Sequence, residues 1–384
     1  MARGNIESRG PNTHRIRIYL GKNPDGTLRY HRETFHGTKK EAEKRRTEIL
    51  RALDTGGYVE PTKMTVGEWM ERWLKDYAKP NTKARTYEGY EMNIRTHVIP
   101  TIGHIALSEL KPYTLQRLYS EKLSEYVPRL KGTRSPTTIN QLHRIIHKAL
   151  EDAVVGGLLA RNVADAVKPP RKRKTEIKVW SQEETLQFLR SSRNHRLYPL
   201  FLLAVTTGLS RSELVGLRWE DVDLQNGVVH VRQSIVETRN GRVTQTPKSD
   251  NRVRGVKIGP EVVAALKKHS ARMAEERLKM GSRFENHGLV FCQHNGHPIN
   301  AHNTSSRLFP KLCKEAGVPV IRFHALRHTH ATALQDMGLP VKAVQERLGH
   351  SEGYVTLGYS HVLPSTEERA AIVMDELVAK VNES

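Results

Sequence analysis

Residue types that handle phosphate and protons crowd into one stretch, Arg322 to His361, which holds His324, Arg327, His350 and Tyr359. His324 and Arg327 are three apart in HALRHTHATALQ, a run of helical character. Positions i and i+3 share a helix face, so both side chains can address one target. Gly338 and Pro340 interrupt the run. A second short helix is expected over about Val341 to Leu348, with Gly349 as its C-terminal cap and His350 just past it. Tyr359 follows nine residues later. Arginine offers a planar fork of donors suited to phosphate oxygens and keeps its charge. Imidazoles beside it can hydrogen-bond a phosphate oxygen or move a proton. A phenol that is held and deprotonated can act as an oxygen nucleophile. The set therefore points to attack by Tyr359 on a phosphodiester, giving a covalent phosphotyrosyl bond.

Each residue also has a plainer reading. A tyrosine or histidine on its own is more commonly a packing residue. His324 and His328 have the His-x-x-x-His spacing of a helical metal site, but the Glu that a zinc protease carries after the first His is missing. His328 and His330 then simply pack or face solvent.

Taken together, HALRH, RLGHS and Tyr359 resemble, in order and separation, the signature of the tyrosine recombinase family of phage-type integrases. That signature is H-x-x-R, then L-G-H, then the nucleophilic tyrosine. The resemblance implies a site-specific DNA recombinase of a mobile element or phage, acting through a 3′-phosphotyrosyl intermediate without a nucleotide cofactor or a metal. Arg327 would clamp the non-bridging oxygens. His324 and His350 would support the phosphate and the proton transfers. In TPKSDNR, which resembles a family hairpin, Lys248 would protonate the leaving 5′ oxygen. Without the surrounding motifs, Lys248 reads as an exposed charge.

One position departs from the family pattern. Where the family reads T-G-L-R-x-S-E-L, this chain reads TGLSRSEL, so Ser210 stands at the first catalytic arginine and Arg211 comes next. Neighbouring side chains on a helix differ by about 100° in direction. Arg211 is therefore not expected to reach the phosphate without local rearrangement. Ser210 and Glu213 can instead form a capping box. The fold should survive while a phosphate clamp is lost. Two charge-assisted hydrogen bonds at about 1.5–3 kcal/mol each give about 3–6 kcal/mol. Placed wholly on the transition state, that loss slows the reaction on the order of a hundred- to ten-thousandfold. Three accounts stay open: a substitution that stalls catalysis but keeps DNA binding, a naturally weakened relative, or Arg211 standing in through a register shift.

The elements that must position these residues read as a multidomain chain, mainly α with small β-sheets. Residues 1–60 are expected to form a small sheet plus helix. RIRIYL alternates, with Ile16, Ile18 and Leu20 on one face and Arg15, Arg17 and Tyr19 on the other. Asn23-Pro24-Asp25-Gly26 is a turn leading to the strand LRYHRETF, and a helix from about Thr38 buries Ala42, Ile49, Leu50 and Leu53. This pattern resembles the arm-type DNA-binding domain of integrases, with the basic strand face entering a groove. Residues 61–168 predict four helices: one through Trp69 and Trp73, then Asn81–Val98 broken by Pro100 and Gly103, Pro112–Tyr126, and Thr137–Val155. They resemble the core-type DNA-binding domain. Residues 169–175 form a linker in which Arg171, Lys172, Arg173 and Lys174 make a phosphate-neutralising strap. Residues 176–384 are the mixed α/β catalytic domain, ending in an amphipathic helix through Val373, Leu377 and Val381. In the family such a helix docks on the neighbouring protomer; packing on its own domain is the plain alternative.

Composition agrees with a polyanionic partner. Lys and Arg number 62 against 41 acidic residues, a net charge of +21. The two cysteines, Cys292 and Cys313, have no metal-ligand spacing and fit a reduced, cytoplasmic protein that joins the nucleoid when bound to DNA. No signal peptide or membrane span is apparent. Expected partners are double-stranded DNA at core and arm sites, a homo-tetramer on synapsed DNA, and accessory DNA-bending or directionality proteins. Two other classes remain: a DNA-binding protein without strand cleavage, which Ser210 favours, and a metal-dependent nuclease using the histidines.

Overall fold

The computed structural model describes residues 4–55, 57–60, 62–171, 177–245, 254–349 and 364–379. The chain divides into two compact units, Met1–Lys174 and Thr175–Ser384.

The first unit opens with a sheet in the order β1 (Gly4–Gly10), β2 (Thr13–Lys22), β3 (Leu28–His36), all antiparallel. β1 was not expected: GNIESRG has too little apolar alternation to read as a strand. The β2 alternation holds, with Ile16 and Ile18 fully buried beneath the helix Lys39–Asp54. That helix starts at a Thr38–Glu41 capping box. On the opposite face of β2, the Arg17 guanidinium lies 3.9 Å from the centre of the Tyr30 ring, and Tyr19 meets the same ring edge-on at 5.6 Å. Arg17 pairs across the sheet with Arg32 and Arg15 with Thr34, so this face is cationic and aromatic.

The helical part of the unit packs around Trp69 and Trp73. Both indoles are anchored: Trp69 donates to the Ala149 carbonyl at 2.9 Å and Trp73 to Asp152 at 2.6 Å. Helices at Pro112–Ser124 and Pro136–Val155 match expectation closely. The second helix does not. It starts at Ala84 and runs past Pro100 to Ile102 instead of breaking there. A five-residue π turn, Ile94–Val98, makes this possible. The Ile99 N–H bonds back to the Ile94 carbonyl, one residue further than in an α-helix. The widened turn accommodates the proline ring and its missing N–H. The same device precedes Pro80 (turn Leu74–Ala78) and Pro310 (turn Thr304–Leu308).

The second unit surrounds the helix Tyr198–Thr207, every residue of which is buried except Tyr198. Ser181 and Glu184 form a capping box at the start of the preceding helix Gln182–Ser192. A small antiparallel sheet has Val228–Val231 between Arg254–Lys257 and Val222–Asp223. The hairpin Ser234–Thr238/Gly241–Gln245 turns through Arg239 and Asn240, with Gly241 already paired to Thr238. The helix Pro260–Met280 follows, and Arg196, bonded to Glu276 and to the Cys292 carbonyl, ties it to the chain beyond. The last helix, Pro364–Ala379, buries Ala370, Met374, Leu377 and Val378 against its own unit. Its Asp375 accepts from the Glu261 backbone N–H at 2.9 Å, capping the helix Pro260–Met280. In the single chain the plain packing alternative is therefore the one observed. Among the described residues, no helix is long and apolar enough to cross a membrane.

Among the described residues of this unit, two histidines are buried. Burial pushes His269 down to about 4 although its Nε2–H donates to the Val290 carbonyl. Burial, then the Arg347 charge, holds His330 well below the ordinary imidazole range. In the unfolded chain both titrate near 6.5, about the free value. Below that pH the unfolded chain takes up protons that the folded unit does not. The stability from neutral burial is complete above about pH 6.5 and declines by about 1.4 kcal/mol per pH unit per histidine as pH falls toward the folded values. The urea midpoint should accordingly drop between pH 7 and pH 5. His269→Gln, which keeps a donor for Val290, should flatten the drop by about one histidine's share; an unchanged slope would contradict this assignment.

Candidate active site

The helix Ala325–Asp336 begins directly after His324, which sits at its cap, and Arg327 lies in its first turn. Arg327 is 9 % exposed and its side chain points into the unit. Its Nη1 donates to the Gly208 carbonyl at 2.8 Å and its Nη2 to the Leu348 carbonyl. Gly208 ends the helix Tyr198–Thr207, and Leu348 ends the helix Val341–Leu348. Helix C-termini present carbonyls without intrahelical donors and carry partial negative charge. A buried guanidinium between two of them is thus solvated by the backbone.

Both ends need glycine. Gly208 has φ +63°, and a Cβ there would fall 2.5 Å from Leu348 Cδ2 and 2.7 Å from the His330 ring. Gly349 has φ +67°, and a Cβ there would press on the Arg254 side chain at 3.1 Å.

Glu213 provides the counter-charge. It is buried, accepts from the Ser210 backbone N–H at 2.6 Å and from Arg254 Nη1 at 3.1 Å, and lies 3.9 Å from Arg327 Nη1. Burial alone would raise its pKa. The Arg254 charge and hydrogen bond, then the Ser210 N–H, outweigh burial and hold the carboxyl below its usual range. Arg254 also donates through Nε to the Arg347 carbonyl. Arg347, itself buried, donates to the carbonyls of Thr206 and Lys257.

Ser210 is the N-cap of the short helix Arg211–Gly216, with the expected capping box to Glu213. Arg211 is exposed and donates to Ser305 Oγ at 2.7 Å. His324 lies at the rim with its ring perpendicular to that of His328, 5.5 Å away. Partial burial first, then His328 and the Arg327 charge, lower its pKa; Glu213 opposes and Arg211 adds to the lowering. A proton on His324 is thus held weakly. The Arg211 charge is felt at this rim even though its side chain bonds elsewhere.

Ser210, Arg327 and His324 therefore meet at one locus. Lys248, His350 and Tyr359 lie outside the described residues, although the described chain reaches the locus at Leu348 and Gly349. Arg15, Arg17 and Tyr19 lie together on β2 in the other unit. Arg171 is exposed, next to Pro170, whose carbonyl accepts from Asn140; Lys172, Arg173 and Lys174 are outside the described residues.

Sequence reading missed Arg254 and Arg347 and gave Glu213 only a capping role. The signal was present. Arg347 falls on the same helical stripe as buried Val344 and Leu348, and Arg254 is two residues from fully buried Val256 in a strand. Charges on apolar stripes mark buried networks.

Residues 178–366 match the Phage integrase family model, and residues 65–123 match the model for the phage integrase N-terminal SAM-like domain. A tyrosine recombinase XerC-like protein of Caldanaerobacter subterraneus is 33 % identical over 97 % of this chain and 98 % of its own. An integrase of Streptomyces ambofaciens is 27 % identical over 93 % of this chain and 91 % of its own. In fold, the chain is similar to the Tn1549 transposon integrase solved with transposon right-end DNA: TM-score 0.63, 24 % identity, covering 80 % of this chain and 98 % of that one.

If Glu213 and Arg254 act as a buried unit, Arg254→Leu should cost up to about 3–5 kcal/mol, because the buried carboxylate loses its hydrogen-bonded cation and keeps the Ser210 N–H and the more distant Arg327. Adding Glu213→Gln should recover part of the loss. Urea unfolding of both single variants and the double variant measures the coupling. Simple additivity would show that the pair is not a unit.

Proposed function

The chain belongs to the phage integrase family, and on that premise we propose that it is a site-specific DNA recombinase whose nucleophile is Tyr359, in a form weakened by Ser210. The Tyr359 phenolate oxygen attacks a DNA phosphorus, a 3′-phosphotyrosyl bond forms, and the 5′ oxygen leaves with a proton from Lys248. The covalent bond conserves the energy of the cut strand, so rejoining needs no nucleotide cofactor. Arg327 supplies charge at the phosphate, with His324 and His350 beside it.

One observation carries this reading: Arg327 joins the carbonyl of Gly208 in TTGLS to that of Leu348 in RLGH. The motif segments, distant in sequence, are thereby held at one locus whose available chemistry is cationic and imidazole-based.

The weakening rests on Ser210. Its side chain lies in a helix cap, and the next residue, Arg211, is bonded to Ser305. Arg211 can serve the phosphate only by leaving that partner. DNA is engaged by the cationic β2 face at arm sites, by the helical region at core sites, and by the strap from Arg171 to Lys174. The lambda integrase has been solved as a dimer on a core site and as a tetramer on a Holliday junction. The same assembly, four protomers on synapsed DNA, is proposed for this chain, with accessory DNA-bending or directionality proteins. The second reading, DNA binding without cleavage, is favoured by the same Ser210.

A duplex nicked near the crossover traps cleavage as a covalent protein–DNA band on a denaturing gel. The chain itself should give a faint band or none. Ser210→Arg should raise it by on the order of a hundredfold or more, and Tyr359→Phe in that background should abolish it. A strong band from the parent chain would contradict the weakening. A band that survives Tyr359→Phe would contradict the nucleophile. Failure of Ser210→Arg to yield any band would favour the binding-only reading.

A further inference from the structure

Beyond the helix Pro260–Met280 the chain forms two limbs, one carrying Glu285 and His287 and the other His297. Their ligand atoms all lie within 4.8 Å of one another, the one such grouping among the described residues. From this cluster we infer a zinc-class metal site of two imidazoles and one carboxylate, separate from the residues proposed for DNA cleavage.

The spacing leaves room for a shared cation, with one imidazole facing each oxygen of the carboxylate. His297 Nε2 is 3.3 Å from Glu285 Oε1, and His287 Nε2 is 3.6 Å from Glu285 Oε2. Charge-assisted hydrogen bonds are shorter, about 2.7–2.9 Å. Zinc bonds of about 2.0–2.2 Å at a tetrahedral angle separate neighbouring ligand atoms by about 3.3–3.6 Å. Because the two imidazoles face different carboxylate oxygens, Glu285 would close on the ion through a small rotation or through both oxygens. The imidazole rings are 5.3 Å apart and inclined at 35°, so neither blocks the other's approach to a common centre.

The backbone holds the limbs together independently of these side chains. The Glu285 N–H donates to the Asn295 carbonyl at 2.9 Å, and the Gln293 N–H to the His297 carbonyl at 2.7 Å. Gly296, at φ +88°, brings the limbs so close that a Cβ there would sit 2.0 Å from the Glu285 carbonyl oxygen. At the base, Arg196 fixes the Cys292 carbonyl and His269 fixes that of Val290. The ligands thus come from a preformed scaffold, which lowers the ordering cost of binding. His2Glu donors suit zinc or a neighbouring transition ion over magnesium or calcium, which prefer all-oxygen shells. Three protein ligands leave a fourth position for water or a partner's side chain. The site would staple the two limbs.

The test is zinc chloride titration of the tag-free full chain, by calorimetry and by thermal unfolding, with magnesium chloride as control. His287→Ala, His297→Ala and Glu285→Gln are compared with His294→Ala, a neighbouring histidine that pairs with Glu276. The chain has 19 histidines, so the decisive readout is the difference between variants. Each cluster variant should lose one equivalent of zinc, or at least tenfold in affinity, and should lose the zinc-dependent rise in Tm. His294→Ala should keep both. Equal zinc binding in all four variants, or no binding by the parent at micromolar zinc, would overturn the site. His287 and His297 side chains are about two-fifths exposed, so their loss should leave the far-UV spectrum unchanged. Because the readout is metal binding, the outcome does not depend on whether the chain cleaves DNA.

Discussion

The Arg327 guanidinium joins the two helix ends that carry the motif segments, and Arg347 adds a second tie to the Thr206 carbonyl. Arg327 donates to the carbonyls of Gly208 and Leu348 and faces Glu213. Burying an arginine is costly unless its donors are used. Here two helix C-termini supply acceptors whose partial negative charge suits it. Gly208 and Gly349 follow from the same constraint, since each ends its helix with a positive φ in space that a Cβ would fill.

The neighbouring charges balance this arrangement. Arg254 and Arg347 hold Glu213 and the carbonyls of Arg347, Thr206 and Lys257. The positive charges at this locus are therefore fixed by packing. Fixed charge needs little reorganisation when a phosphate develops more charge in a transition state. Ser210 contrasts with this: it completes a helix cap and brings no charge to the locus.

Much of this was legible in the sequence, for physical reasons. The alternation in RIRIYL, the helix start at Thr38, the capping box at Ser210 and the stop at Gly349 are local signals, and all appear in the structure. The motifs carrying His324 and Arg327 were readable because their spacing is constrained within one helical turn. What was missed depends on contacts far apart in the chain. Pro100 reads as a helix break, yet a π turn absorbs it. β1 pairs with β2 despite weak alternation of its own. Arg254 and Arg347 become site residues only when distant carbonyls and Glu213 are brought to them. Glu285, His287 and His297 form a cluster only when a glycine-enabled close approach joins two limbs.

The most direct test of the central role of Arg327 is hydrogen exchange on the parent chain and on Arg327→Lys. Lysine keeps the charge but has one nitrogen, which cannot hold both carbonyls in the fixed geometry of the guanidinium fork. Amides in 204–214 and in 341–349 should lose protection together in the variant, while those of the helix Pro136–Val155 should not change. Unaltered exchange in both segments would contradict the account, because the motif segments would then be held together without Arg327.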